Sequence, residues 1–385
     1  MAQNVRRFLQ NRVVPRVQEW EDAGEVPREL HREAAALGIL GLGYPEELGG
    51  TPAPHAVRNA LSVAMSRWGA SGGVMAALFS HNIGLPPILR HGSETLQQEV
   101  IPPVLRGEKI AALAITEPGG GSDVASLRTT ARREGDDYVI DGEKTFITSG
   151  LRADWITVAV RTGEAGARGS GGISIIVVPG DATGLSRTRL HKMGWHASDT
   201  AHLRFDGVRV PARYLVGEEG AGFRMIMANF NGERLAMSAM ALGFAQACYD
   251  EALDWARERK TFGSPLIEKQ VIRHKLVDMQ TRIHATEAWL NFVSGLADAH
   301  WGRIPESAPG PLETDQNLIA QVCMLKNQST QTMQFCADQA VQILGGMGFM
   351  RGTKSERIYR EVKVMMIGGG AEEIMKDLAA RQLGL

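Results

Sequence analysis

Tyr138-Val139-Ile140-Asp141-Gly142-Glu143-Lys144-Thr145-Phe146-Ile147-Thr148 carries the reading that decides the fold class. β-branched and aromatic residues flank Asp141-Gly142, a dipeptide that favours a tight type I′ turn. The expectation is a hairpin with Lys144–Thr148 as its return strand. Outward from it, Trp155–Val160, Ile173–Val178 and His202–Val210 are further short β-branched runs, and Arg161–Gly172 is a Gly/Ala/Arg loop. The strand-like signature extends from Ala111 to about Val216. Before it, residues 1–110 read as helices broken by Gly/Pro turns, with loops at Gly41–Thr51 and Ile83–Ile88. After it, Ala221–Arg259 and Ile267–His300 carry apolar residues at helical spacing. The Pro-rich stretch Ile304–Leu312, a helix over Asn317–Leu344, and a last helix over Ala371–Leu383 behind Gly368-Gly369-Gly370 complete the chain. Contiguous helix, strand and helix blocks argue for an α+β fold rather than βαβ winding. Three regions are expected, at 1–110, 111–216 and 217–385.

The chain has 385 residues, too many for one ordinary core. Its 44% hydrophobic and 22% charged residues are those of a globular protein. With 42 basic against 43 acidic residues, no net field draws it to nucleic acid or anionic lipid. No run of 18 apolar residues is present to span a bilayer. Cys248, Cys323 and Cys336 show no metal or redox spacing, so buried free thiols in a reducing compartment are expected, the cytoplasm or, in a eukaryote, the mitochondrial matrix. Arg6, Arg7, Arg12 and Arg16 suggest either a transit peptide or a first helix with a basic outer face; the run into helical sequence without a cleavage site favours the helix.

Asn231-Gly232-Glu233-Arg234 lies in a proline-free helical run. At about 100° per residue Glu233 falls between Met240 and Phe244, on the face of Phe230, Met237 and Ala241. A carboxylate on an apolar stripe loses hydration and has its pKa raised, which suits a general base; the alternative is a surface Glu paired with a neighbouring Arg.

Thr116-Glu117-Pro118-Gly119-Gly120-Gly121-Ser122-Asp123-Val124 resembles a loop of the acyl-CoA dehydrogenase flavoproteins. Phe146-Ile147-Thr148-Ser149-Gly150 resembles the family's Trp-Ile-Thr-Asn-Gly segment. Arg259-Lys260-Thr261-Phe262-Gly263, with Gln270 after it, and Gln342-Ile343-Leu344-Gly345-Gly346-Met347-Gly348 resemble two later motifs in the expected order. The resemblance implies an N-terminal helical domain, a central β-barrel or sandwich domain and a C-terminal four-helix bundle. It also implies FAD between the β domain and the bundle, completed by a neighbouring subunit of a homotetramer. The implied reaction is α,β-dehydrogenation of an acyl-CoA to the trans-2-enoyl-CoA, with electrons passed to an electron-transfer flavoprotein.

Position by position, the resemblance assigns FAD contacts to Thr116, Gly121, Ser122, Phe146, Thr148, Arg259, Phe262, Gln270, Gln342, Gly345, Gly346, Ala371 and Glu373. Phe146 replaces a Trp, keeping an aromatic surface without the indole N–H. Arg259 has a second reading as a cation at a helix C-terminus. Ser122, Asn231, Arg234, Gly368 and Gly370 are assigned to substrate; Arg234 reads equally as a structural partner. Many members place their base in Tyr-Glu-Gly-Thr, where this chain has Gly368, Gly369, Gly370 and Ala371. Glycine abstracts no proton. The long-chain and isovaleryl-type members instead carry a Glu-Arg pair on a bundle helix, as at Glu233-Arg234. Glu233 is therefore the expected base, with the Gly369 N–H polarising the thioester. The small residues at 368 and 369 suggest room for a long or branched acyl chain. Met225, Met227, Met237 and Met240 read either as an adaptable pocket or as plain core. Three other functions stay open: a flavin oxidase or monooxygenase using oxygen, a nucleic-acid-binding relative, which the charge balance disfavours, and a scaffold without a base.

Overall fold

Pro15 shapes the start of the chain, because it has no N–H to continue a helical ladder. The computed structural model describes residues 2–163, 169–301 and 315–385. Around Pro15 a π turn (Leu9–Val13) and a 3-10 turn (Val14–Arg16) join α1 (Ala2–Phe8) to α2 (Val17–Ala23). Val5, Phe8, Leu9, Val13 and Trp20 are buried while Arg6, Arg7 and Arg12 stay exposed, so this basic segment is packed into the fold. Then come α3 (Arg28–Ala36), α4 (His55–Gly69), α5 (Gly72–Phe79), α6 (His81–Gly84), α7 (Pro86–His91) and α8 (Glu94–Leu105). Ile83–Ile88 is not the expected loop. Gly84 closes α6, and Pro86 opens α7 in its first turn, where a missing N–H costs nothing.

Among the described residues eight strands form one mixed sheet: β1 (Ala111–Ala114), β2 (Thr130–Glu134), β3 (Asp137–Thr148), β4 (Trp155–Arg161), β5 (Ile173–Pro179), β6 (Leu185–Arg189), β7 (Thr200–Pro211) and β8 (Leu215–Val216). The order is β6-β7-β3-β2-β4-β5-β8, with β1 parallel to β4. The Asp141-Gly142 hairpin does not form. β3 runs through it as a single strand paired with β7, bulged between Ile140 and Gly142 and again between Lys144 and Ile147. Gly142 has φ +144°, and a Cβ on it would sit 2.7 Å from the Thr129 Cα, so this glycine admits a neighbouring backbone rather than a turn. The hairpin lies one strand earlier. Gly135-Asp136 joins β2 to β3 with Glu134 opposite Asp137, and Gly135 (φ +64°) takes the first position, as in a type II′ turn.

The helices then resume: α9 (Gly222–Glu258), a hairpin of β9 (Lys260–Thr261) and β10 (Ser264–Pro265), α10 (Gln270–Trp301), α11 (Gln316–Leu344), α12 (Gly346–Phe349), α13 (Lys354–Ile367) and α14 (Glu372–Leu383). The sequence reading did not foresee α13. The Ile304–Leu312 stretch lies outside the described residues, as do 164–168 of the Arg161–Gly172 loop. Among the described residues the three cysteines are buried free thiols, and no helix is long and apolar enough to cross a membrane.

Two large apolar cores form, and they do not follow chain order. Side chains of α1 to α5 pack with α9, α10, α11 and α13, whereas α7 and α8 pack on the sheet. The 37-residue α9 belongs to both: Met225 and Ile226 lie in the sheet core, Leu235 and Met237 in the helical one. Residues 231–234 sit at the seam.

Candidate active site

At that seam α9 presents Asn231, Glu233 and Arg234. Glu233 keeps part of its surface open, yet its Oε2 is buried and has no hydrogen-bond partner among the described residues. Loss of hydration raises its pKa to about 7, against the lowering pull of Arg234 and Lys326. The apolar stripe read from the sequence is present on α9: Met237, Ala241 and Phe244 are buried, Phe230 and Met240 half-buried.

Arg234 is buried and faces the turn between α13 and α14. Its Nε donates to the Gly369 carbonyl at 2.8 Å and its Nη1 to Asn231 Oδ1 at 3.2 Å; its guanidinium lies 5.5 Å from the Phe230 ring centroid. The turn needs glycine, since Gly369 and Gly370 have φ of +67° and +112°. Among the described residues no group accepts from the Gly369 N–H. A Cβ on Gly369 would lie 2.8 Å from Met237 Sδ, so Met237 occupies some of the room expected there. Gly368 and Ala371 are half-buried; Glu373 is exposed at the start of α14. Glu372 beside it accepts from Gln331 at 2.8 Å and Lys376 at 2.7 Å, and the Lys376 bond holds its pKa down.

A second group lies at the end of β1 and on β3. Thr116 accepts through its carbonyl from Thr145 N at 2.8 Å, and a Cβ on Gly121 would lie 3.3 Å from Thr116 Cγ2. Gly121 and Ser122 are exposed, and space is open where Cβ atoms of Gly119 and Gly120 would be. The second β3 bulge holds Phe146 at φ +61° with 71% of its surface exposed. A positive φ on an aromatic residue is costly, and an exposed aromatic face beside an open glycine loop suits a flat ligand. Thr148 is half-buried, and the next residue, Ser149, is buried with its Oγ unpartnered. These residues fit a flavin.

The remaining expected positions are not brought to either group. Arg259, Phe262 and Gln270 are exposed around the β9–β10 hairpin, Phe262 entirely so. Phe262 (φ +50°) and Gly263 (φ +79°) form its type I′ turn. Gln342, Gly345 and Gly346 are exposed where α11 meets α12. No hydrogen bond among the described residues joins either segment to the sheet.

Sequence reasoning missed two lysines. Lys144 is fully buried and donates to Glu117 Oε1 at 2.8 Å and the Ile115 carbonyl at 2.9 Å. Glu117 also accepts from Arg128 N and Thr129 N, so this ion pair closes the base of the glycine loop. Lys326 of α11 is also fully buried and reaches the 366–370 turn. For Lys326 the available signal was a lysine on an apolar helical face, the same signal that exposed Glu233.

Comparison with known proteins identifies the family. Family models described as the N-terminal, middle and C-terminal domains of acyl-CoA dehydrogenase match residues 1–108, 112–208 and 220–384. The long-chain specific acyl-CoA dehydrogenase of Rattus norvegicus mitochondria is 35% identical over 99% of this chain and 85% of its own length. A structure described as a "probable acyl CoA dehydrogenase" from Mycobacterium abscessus is 44% identical, with a TM-score of 0.93 over 100% of this chain and 97% of that one. A glutaryl-CoA dehydrogenase from Mycobacterium smegmatis, solved in complex with FADH2, is 25% identical with a TM-score of 0.87 over 99% and 93%. On these matches, the chain belongs to the acyl-CoA dehydrogenase family of FAD-dependent oxidoreductases acting on CH–CH groups.

Proposed function

We propose that Glu233 is the base that takes the α-proton of a long-chain or branched acyl-CoA. The observation that carries this reading is its buried carboxylate oxygen, unpartnered among the described residues, with a pKa raised to about 7, next in sequence to the Arg234 that binds the glycine turn. Such a group is ionised near neutral pH yet basic enough to accept a proton. The Gly369 N–H donates to the thioester carbonyl oxygen, where charge develops as the α-proton leaves. Arg234 fixes the next peptide, through the Gly369 carbonyl, and lines the substrate path with Asn231, Gly368 and Gly370. FAD supplies the acceptor for the β-hydride. Thr116, Gly121, Ser122, Phe146 and Thr148 would hold it, with the Glu117–Lys144 pair supporting their loop, and Ala371 and Glu373 would complete its contacts.

Arg259, Phe262, Gln270, Gln342, Gly345 and Gly346 reach the FAD of a neighbouring subunit. Their exposure in a single chain supports this, and so does the cost of leaving Phe262 wholly in water. The assembly is a homotetramer in a reducing compartment, the cytoplasm or the mitochondrial matrix, and its electrons pass to an electron-transfer flavoprotein. Anaerobic titration with a series of acyl-CoAs tests the reading. The purified protein should be yellow and bleach with long or branched chains, and reoxidise faster with an electron-transfer flavoprotein than with air. Rapid reoxidation by oxygen alone would favour an oxidase instead.

A further inference from the structure

Lys326 is a fully buried lysine with no hydrogen-bonded carboxylate among the described residues. Burying an ammonium is expensive unless its donors are used. Here they are spent on backbone: the Met366 carbonyl at 3.2 Å and the Gly370 carbonyl at 2.7 Å. Arg234 takes the carbonyl between them, Gly369, from the other helix. The next residue on α11, Asn327, donates to the Glu372 carbonyl at 3.0 Å, and Gln331 to the Glu372 carboxylate. A row on α11 thus holds the backbone before, within and after the turn. The peptide carrying the unpaired Gly369 N–H is bracketed on both sides by carbonyls bound to cations. The same two cations, Arg234 and Lys326, act on the Glu233 carboxylate.

We propose that Lys326 is a positioning residue: it fixes the Gly368–Gly370 turn and so sets the Gly369 N–H and the Glu233 carboxylate on either side of the substrate carbonyl. The inference rests on the reading of Glu233 as the base. Its electrostatic part has a definite sign. A positive charge near Glu233 favours the ionised form, so removing it raises the pH at which the base becomes active. The charged and titratable groups that act on Lys326 are Arg234, Glu233, Glu372 and Cys323. Of these, burial holds the Cys323 thiol protonated at neutral pH, and Glu372 is committed to Gln331 and Lys376. Lys326 itself has its pKa lowered to about 8 by burial. As Glu233 ionises with rising pH, Lys326 therefore still carries its charge.

The test uses Lys326→Met, which removes donor and charge, and Lys326→Gln, which keeps a donor and removes the charge, both as FAD-loaded protein. Anaerobic flavin reduction by a long-chain acyl-CoA is followed by stopped flow across pH 5.5–9.0. For Lys326→Met the limiting rate should fall at least ~10-fold, towards the ~10²–10³-fold cost of losing an oxyanion donor. Half-saturation should change little, and the pH midpoint should move up. For Lys326→Gln the rate loss should be smaller while the midpoint still moves up. A Lys326→Met protein with wild-type rate and midpoint overturns the inference. So does a rate loss with an unmoved midpoint and proportionally weaker substrate saturation, the mark of a merely structural lysine. If Lys326→Met fails to fold or to keep FAD, Lys326→Gln decides, and an unmoved midpoint overturns the inference. In the same assay a Glu233→Gln protein reducing at the wild-type rate sinks the reading of the base and this inference with it. Slow Glu233→Gln beside unchanged Lys326 variants sinks the inference alone.

Discussion

Two opposed effects meet at the Glu233 carboxylate. Loss of hydration pushes its pKa up, and the charges of Arg234 and Lys326 pull it down, with hydration the larger. The net value of about 7 fixes the sign of the pH dependence. Only the ionised form accepts a proton, so flavin reduction should rise with pH through about 7 and level off above it. Single-turnover reduction measured from pH 5.5 to 8.5 checks this; a rate flat across that range excludes a base with this environment. The setting of Glu233 was legible because its apolar neighbours lie on its own helix, at spacings a wheel displays. The same spacing signals the burial of Lys326 but not its role, because its partners, the Met366 and Gly370 carbonyls, come from a turn 40 or more residues away.

Among the elements, the glycine turn between α13 and α14 is the most constrained by chemistry. Gly369→Ala places a Cβ at φ +67° and 2.8 Å from Met237 Sδ. The left-handed conformation alone costs a non-glycine residue about 1–2 kcal/mol. The variant should unfold at lower urea concentration, and its flavin reduction should slow as the N–H is displaced; unchanged values for both would show that the turn tolerates a side chain.

A different junction involves α13 and α5. Glu361 is buried and accepts from Gly72 N at 2.8 Å and Gly73 N at 3.3 Å. Burial first, and the charge of Glu21 second, raise its pKa to about 7. A raised folded-state value means its stabilising share is full below the unfolded value of 4.5 and is lost as pH rises through about 7. Glu361→Gln should therefore gain in melting temperature relative to wild type between pH 5 and pH 8. A pH-independent difference would contradict the burial argument. Local signals misled at Asp141-Gly142 for a similar reason. The dipeptide permits a turn, but the same glycine serves a bulge when Thr129 packs against it, and Thr129 is not a sequence neighbour. Ile83–Ile88 reads as a loop because its prolines interrupt a helical ladder anywhere but in the first turn, which is where Pro86 stands.

Over the whole molecule, α9 links a sheet core and a helical core, and the candidate site lies where they meet. The block order of helix, strand and helix was readable from periodicity. The division into cores was not, because α7 and α8 leave the other N-terminal helices to cover the sheet. The exposed β9–β10 hairpin bears on assembly. Light scattering should give four times the chain mass, and Arg259→Ala should lose FAD on gel filtration, one charge-assisted contact contributing about 1.5–3 kcal/mol. A monomer with full FAD occupancy would contradict the assignment.

The most direct measurement is anaerobic flavin reduction in Glu233→Gln, which keeps shape and hydrogen bonding and removes the base. Glu372→Gln is its control, since that carboxylate lies in the first turn of α14, where the helix dipole favours it for structural reasons. Glu233→Gln should bind FAD and acyl-CoA yet reduce its flavin about 10²–10⁴-fold more slowly, the range of a general base, while the control keeps most of its rate. Wild-type reduction in Glu233→Gln, or a comparable loss in Glu372→Gln, would contradict the assignment of Glu233 as the base.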